Sequence, residues 1–219
     1  MKKNWIQGTL LIFILGILPL GSWFYMNKGF KYQKGAMEEL KDYGSLTTFM
    51  ATDHLGRTFS SDDIQSSLTL INFYGDSQAS LDRMDWVEKL HEQFDDRHGV
   101  YFLNIGISEN SRIEEAFGTL DTSQVILIPK SEGPPFFLGR DIKMPINHSV
   151  PQVDSLQFQP IDVEDLDDFN YFVLVDSKGV IRNYYKADEP QRLKRLVEHI
   201  ALTMPRKQKA KAKKVPKKI

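Results

Sequence analysis

Apolar and polar residues fall into a few distinct periods along the chain, and each period predicts an element. Residues 68–74 (LTLINFY) are almost continuously apolar, with β-branched and aromatic members, the pattern of a strand covered on both faces. Gly75 ends it. After the polar stretch GDSQAS, apolar side chains recur at Leu81, Met84, Val87, Leu90 and Phe94, spacings that line one face of a helix capped by Ser80. Residues 100–107 (VYFLNIGI) repeat the buried-strand pattern, so residues 68–107 read as β-α-β with a parallel pair. Such a unit leaves the loop after its first strand, and the partial positive charge of the helix start, at the C-terminal edge of a sheet.

The flanking segments extend that unit. Residues 49–52 and 57–59 bracket Asp53-His54-Leu55-Gly56, a turn signal that predicts a hairpin with His54 exposed in its turn. Ile113, Ala116 and Phe117 predict a short helix, and residues 125–128 a further strand. Residues 171–176 and 180–185 predict two strands joined by Ser177-Lys178-Gly179, where glycine supplies the positive φ of a tight hairpin. Asp188 and Pro190 then open a helix whose stripe is Leu193, Leu196, Val197, Ile200, Ala201 and Met204, with Pro205 stopping it. His91 and His98 fall on or near the polar side of the central helix and its exit.

At the other end, residues 4–27 contain no charge and are dominated by Leu, Ile, Phe and Trp, enough at 1.5 Å per residue to cross about 30 Å of hydrocarbon. Trp5, Trp23 and Tyr25 sit where interfacial anchors would. The run is long for a cleaved signal peptide and no A-x-A-like site follows it, so it reads as an uncleaved anchor. The expected organisation is an anchor at 1–27, a polar spacer at 28–45, an α/β domain at 46–204 and a basic tail at 205–219. Within the domain, residues 130–168 read as a surface insertion, rich in proline and closing on the acidic run Asp162, Glu164, Asp165, Asp167 and Asp168.

Composition sharpens the chemistry. The 219 residues include no cysteine, which excludes disulfides, thiol catalysis and thiolate metal sites. The net charge of −1 conceals a division: residues 206–219 carry eight Lys and Arg and no acid, leaving −9 for the remainder. That tail has too little apolar surface to fold and no aromatic residue to stack on bases, so no nucleic-acid partner is expected.

The phrases Leu46-Thr47-Thr48-Phe49, Asp53 to Phe59 and Leu70-Ile71-Asn72-Phe73-Tyr74, with Val173 to Ile181 near the far end, resemble the entry and exit of the Sco/SenC family. The resemblance implies a thioredoxin-like fold, a central mixed sheet with flanking helices, behind a single transmembrane helix. It implies a place in the inner membrane with the domain facing the periplasm, protein partners in cytochrome c oxidase assembly, and copper delivery or thiol reduction. The charge rule does not choose that orientation, because Lys2, Lys3 and the amino terminus balance Lys28, Lys31 and Lys34. The family works through a C-x-x-x-C pair and a histidine; the matching positions here are Gln78, Asp82 and Asp168, so all three ligands are missing. Copper(I) is soft, and amide and carboxylate oxygens do not replace two thiolates.

The expectation is therefore an accessory or scaffold protein with no catalytic residue and no cofactor. The alternatives are a thioredoxin- or peroxiredoxin-like redox enzyme, or a copper-binding protein with non-cysteine ligands. For the last, Met144 and His148 supply a thioether and an imidazole, a sparse pair. Ser77 and Ser80 have acids nearby, Asp76 and Asp82, but no histidine base, and read as helix-capping residues. The acidic run lacks the spacing of a calcium loop and reads as a solvated edge.

Overall fold

The computed structural model describes residues 11, 13–97, 99–108, 113, 117, 120–130, 144–145, 158–159 and 169–204. The chain divides into two compact units, Met1–Lys41 and Asp42–Ile219. In the first, a π-helical turn, Phe13–Ile17, runs into helix α1, Leu18–Glu38. Helix α1 continues well past the expected boundary at residue 27, carried by good helix formers and an i,i+4 pair between Lys34 and Glu38. Leu15, Leu20, Trp23, Phe24 and Tyr25 are exposed on it. Among the described residues no helix is long and apolar enough to cross a membrane. Residues 1–10 and 12 of the expected anchor lie outside them.

The second unit begins earlier than residue 46. The amide of Gly44, at φ 107°, donates to Asp42 Oδ1, and residues 43–46 then join the sheet edge. Tyr43 N–H donates to Ile181 O (3.0 Å), Ile181 N–H to Gly44 O (2.8 Å) and Leu46 N–H to Gly179 O (2.9 Å). Strands β1 (Met50–Thr52) and β2 (Thr58–Ser60) form the expected hairpin, followed by one turn of helix, α2 (Ser61–Ile64). Then come β3 (Leu68–Tyr74), α3 (Gln78–Phe94), β4 (Val100–Gly106) and β5 (Val125–Ile128). Ile113 and Phe117 are helical and buried, while Ala116 lies outside the described residues. Of residues 131–168, only the short antiparallel pair β6 (Met144–Pro145) and β7 (Phe158–Gln159) is described. The chain closes with β8 (Tyr171–Val175), β9 (Ile181–Lys186) and α4 (Pro190–Thr203).

The main sheet has the order β5-β4-β3-β8-β9, with β3, β4 and β5 parallel and β8 and β9 antiparallel to their neighbours. Hairpin, β-α-β, hairpin and closing helix thus assemble as the periodicity predicts. One face packs Ile71, Phe73, Leu103, Ile105 and Val173 against Phe49, Phe59 and Phe169. The opposite face carries α3 and α4, through Asn72 on Met84, Phe102 on His91 and Tyr185 on His199.

Both hairpins that frame the sheet use the same device. Asp53 Oδ1 accepts the amides of Leu55 and Arg57 while Oδ2 takes the Arg57 guanidinium at 2.6 Å. Asp176 Oδ1 accepts Lys178 and Val180, and Oδ2 takes the Arg182 guanidinium at 2.7 Å. Gly56 and Gly179 supply φ of 78° and 77° in these turns. Burial acts to raise the pKa of each aspartate, but the amide and guanidinium hydrogen bonds outweigh it and hold both carboxyls below their ordinary value.

Three sequence-based placements change. His54 is half-buried rather than exposed, because its amide donates to Leu127 O and ties the first hairpin to the β5 edge. His91 lies on the buried side of α3, edge-on to Phe102. The residue capping α4 is Glu189, with Pro190 in its first turn; Asp188 instead pairs with Lys186 at 3.3 Å.

Candidate functional site

The C-terminal end of β3 passes through Gly75 and Asp76 into α3, whose cap is Ser77, not Ser80. Ser77 Oγ accepts the Ser80 amide (3.2 Å), freeing Ser80 to face inward. There its hydroxyl accepts the Gly75 amide (3.0 Å) and an N–H of Arg83 (2.9 Å). Arg83 is 0 % exposed. Its guanidinium also donates to Asn72 Oδ1 (3.2 Å) and Phe73 O (3.0 Å), and Asn72 in turn donates to Asn104 Oδ1 (3.1 Å). A polar network therefore runs under the first turns of α3 from the middle of β3 to β4, fixing the loop that begins the helix.

Gln78 and Asp82 stand on the outer side of those turns, both exposed, with Gln78 Nε2 donating to Asp82 Oδ1 at 2.9 Å. They line a cleft of about 640 Å³ between α3 and the start of α4, with Asp85, Trp86 and Lys89 on one wall and Asn170, Ala187, Asp188, Pro190 and Leu193 on the other. Lys89 Nζ lies 4.8 Å from the centre of the Trp86 ring, a cation–π contact. Asp168 lies outside the described residues, although Asn170, two positions on, is part of the wall. The positions that the family resemblance assigns to two thiols are thus adjacent and face a cleft, and hold an amide and a carboxylate already bonded to one another.

The remaining candidates do not join this site. Met144 belongs to β6, while His98 and His148 lie outside the described residues. Among the described residues no three His, Asp or Glu side chains are grouped to hold a metal ion. Two groups escaped the sequence reading. Arg83 lies on the helical spacing shared by Val87, Leu90 and Phe94, a positional signal overruled by its charge. His199, 0 % exposed, lies between Leu196 and Ile200 and meets the Tyr185 hydroxyl through Nδ1 at 2.5 Å.

No protein-family model and no curated protein matches the sequence. Solved structures do match it. The solution structure of a proposed protein disulfide isomerase from Bacteroides thetaiotaomicron is 13% identical, covering 76% of this chain and 92% of its own, with a TM-score of 0.50. A SCO1/SenC family lipoprotein from Bacillus anthracis is 17% identical over 73% of this chain and 94% of its own, with a TM-score of 0.46. Yeast Sco1 with copper bound is 18% identical over 78% and 97%, with a TM-score of 0.45. At such identities the likeness is one of fold, and together with the strand order it makes this a thioredoxin-like α/β domain with a mixed sheet.

Proposed function

We propose that the chain is a Sco/SenC-like accessory or scaffold protein that acts in respiratory-complex assembly by binding rather than by catalysis. The observation that carries this reading is the occupancy of the thiol positions. Gln78 and Asp82 face a formed cleft at the sheet edge where a thioredoxin-like protein does its chemistry, but they offer only oxygen and amide groups. A cysteine-free chain cannot run thiol–disulfide exchange or thiol peroxidation, so a redox-enzyme reading would need chemistry that no described constellation supports. The cleft has the mixed lining of a recognition surface, with apolar Ala79, Ala187 and Leu193 beside charged rim residues.

The oxidase-assembly role rests on the resemblance of the sequence phrases, and the anchor on the uncharged run at residues 4–27 together with the exposed apolar side chains of α1. In this reading the helix holds the domain at the periplasmic face of the inner membrane. The test is a deletion strain complemented with the wild-type chain or with Asp82→Lys. Loss of spectroscopically measured cytochrome c oxidase on deletion, restored by wild type only, supports the role. Normal oxidase content in the deletion strain, with pull-downs empty of oxidase subunits and copper proteins, refutes it.

A further inference from the structure

The two walls of the cleft between α3 and α4 differ in chemistry. On the α3 wall Asp82 and Asp85 are exposed and lie at the i,i+3 spacing of one helical face. Asp82 Oδ1 takes the Gln78 amide at 2.9 Å, which leaves its second oxygen open to a ligand, and Asp85 makes no ion pair among the described residues. The α4 wall is apolar, with Ala187, Pro190 and Leu193, and its one acid, Asp188, is already paired with Lys186 at 3.3 Å. The cations of the α3 wall cancel little of its charge. Arg83 turns its guanidinium inward to Phe73 O and Ser80 Oγ, and Lys89 lies over the Trp86 ring. Glu88 and Glu92, exposed on the same helix, extend the negative potential beyond the cleft and draw cations toward it.

An extended peptide meets two unlike walls at once. Its successive side chains point to opposite sides, and alternate ones recur at about 6.6 Å. Helix side chains three positions apart are about 5–6 Å apart at Cβ, so long cationic side chains at alternate peptide positions reach Asp82 and Asp85 together. The residue between them then rests against Pro190 and Leu193. Half-buried Asn170, at the same wall, offers a side-chain amide that can both donate to and accept from a peptide backbone. A small cation would use the carboxylates alone and leave the apolar wall in water.

We propose that this cleft binds an extended segment of a partner protein in which lysine or arginine alternates with apolar residues, the cations on Asp82 and Asp85 and the apolar side chains on Ala187, Pro190 and Leu193. The inference rests on the reading of the cleft as a binding surface and gives the chemistry of what it binds.

The probe is a dye-labelled peptide, Arg-Val-Arg-Val-Arg, titrated by fluorescence anisotropy against the full chain in non-ionic detergent. Saturable binding is expected, lost in about 0.5 M NaCl, where the screening length is about 4 Å. Asp82→Asn keeps an acceptor for Gln78 while removing the charge. Combined with Asp85→Asn it should weaken binding about ten-fold, the sum of two exposed charge pairs. Lys89→Met removes the like charge from the wall and should tighten binding about two-fold. Peptides with glutamine for arginine, with serine for valine, or with the same residues clustered as Arg-Arg-Arg-Val-Val should each bind several-fold more weakly. No saturation by about 1 mM peptide overturns the proposal. So does binding that is indifferent to the aspartate pair, weakened by Lys89→Met, or equal for the clustered peptide. A deletion strain with normal oxidase content would refute the assembly role and leave this measurement standing. Absent peptide binding beside oxidase assembly that Asp82→Lys abolishes would refute the peptide class alone.

Discussion

Arg83→Ala is expected to destabilise the domain by about 3–5 kcal/mol, the usual result of breaking a buried charged network from one side. The guanidinium donates to Asn72 Oδ1, Phe73 O and Ser80 Oγ at 3.2, 3.0 and 2.9 Å, and the residue is fully buried. Hydrogen bonds to a charged group contribute about 1.5–3 kcal/mol each, so these three amount to about 5–9 kcal/mol before any offset. Burying the cation costs several kcal/mol, which alanine recovers, while the vacated volume adds a cavity penalty of a few kcal/mol. Two controls separate the contributions. Arg83→Met fills the volume without donating, and should lose about 1–3 kcal/mol for acceptors left short of a partner. Arg83→Lys keeps the charge, but one ammonium cannot reproduce the fork, and it should fall between the other two. Urea unfolding of the full chain in detergent, followed by circular dichroism, reads all three. A loss below about 1 kcal/mol in the alanine variant, the range of ordinary surface changes, would refute this account of the network. A methionine variant as stable as wild type would mean that burying the cation costs as much as its hydrogen bonds return.

The turn aspartates set the expected acid sensitivity. Because the folded pKa values of Asp53 and Asp176 are lowered, their stabilisation is fully present above the unfolded carboxylate pKa of about 3.9 and is lost as pH falls through the folded values. Asp53→Asn with Asp176→Asn should therefore cost about 2–5 kcal/mol at neutral pH, and the gap to wild type should close on acidification below about pH 4 in pH-dependent urea melts. A gap that does not change between pH 7 and pH 2.5 contradicts the assignment. The second expectation concerns copper. The native chain should bind copper(I) no tighter than about micromolar in competition with a chelator, whereas Gln78→Cys with Asp82→Cys should create a markedly tighter site by placing two thiolates one helical turn apart. Tight one-to-one binding by the native chain, abolished by Met144→Ala or His148→Ala, would instead establish a site built on those residues.

The sheet and its two principal helices were legible because burial on both faces leaves an unbroken apolar run at β3 and β4, and burial on one side leaves the three-and-four spacing of α3. Glycine at positive φ likewise marked both hairpins. What escaped the pattern was polar burial. Arg83, His91 and His199 occupy inward helical positions but carry side chains that residue type alone assigns to solvent. Apart from Ser80, their acceptors and packing partners lie on strands 10 or more residues away, so spacing could place the side chain on the correct face but could not say what would receive it. The cap was misplaced by one turn for a related reason. Ser77 and Ser80 are equally good caps by composition, and the choice depends on Arg83 and the Gly75 amide holding the Ser80 hydroxyl inside.

That last contact bears on what the site can do. In a thioredoxin-like protein the start of this helix stabilises a thiolate through its partial positive charge. Here the same turn is held by Ser77, whose Oγ accepts the Ser80 amide, and by Arg83 beneath, so the geometry that would present a reactive group stands ready with none on it. Gln78 and Asp82 take up part of their hydrogen-bonding capacity with each other, and a ligand must either exchange that bond or approach from the Asp85 and Trp86 side. Exchange of one exposed hydrogen bond for another yields little net free energy, about 1 kcal/mol. Affinity at this edge must then come from the apolar floor and from charge across the rim. Both favour a peptide-like partner with spaced cations over a small molecule or a metal ion, and both predict that binding weakens with added salt while thiol reagents leave it unaffected.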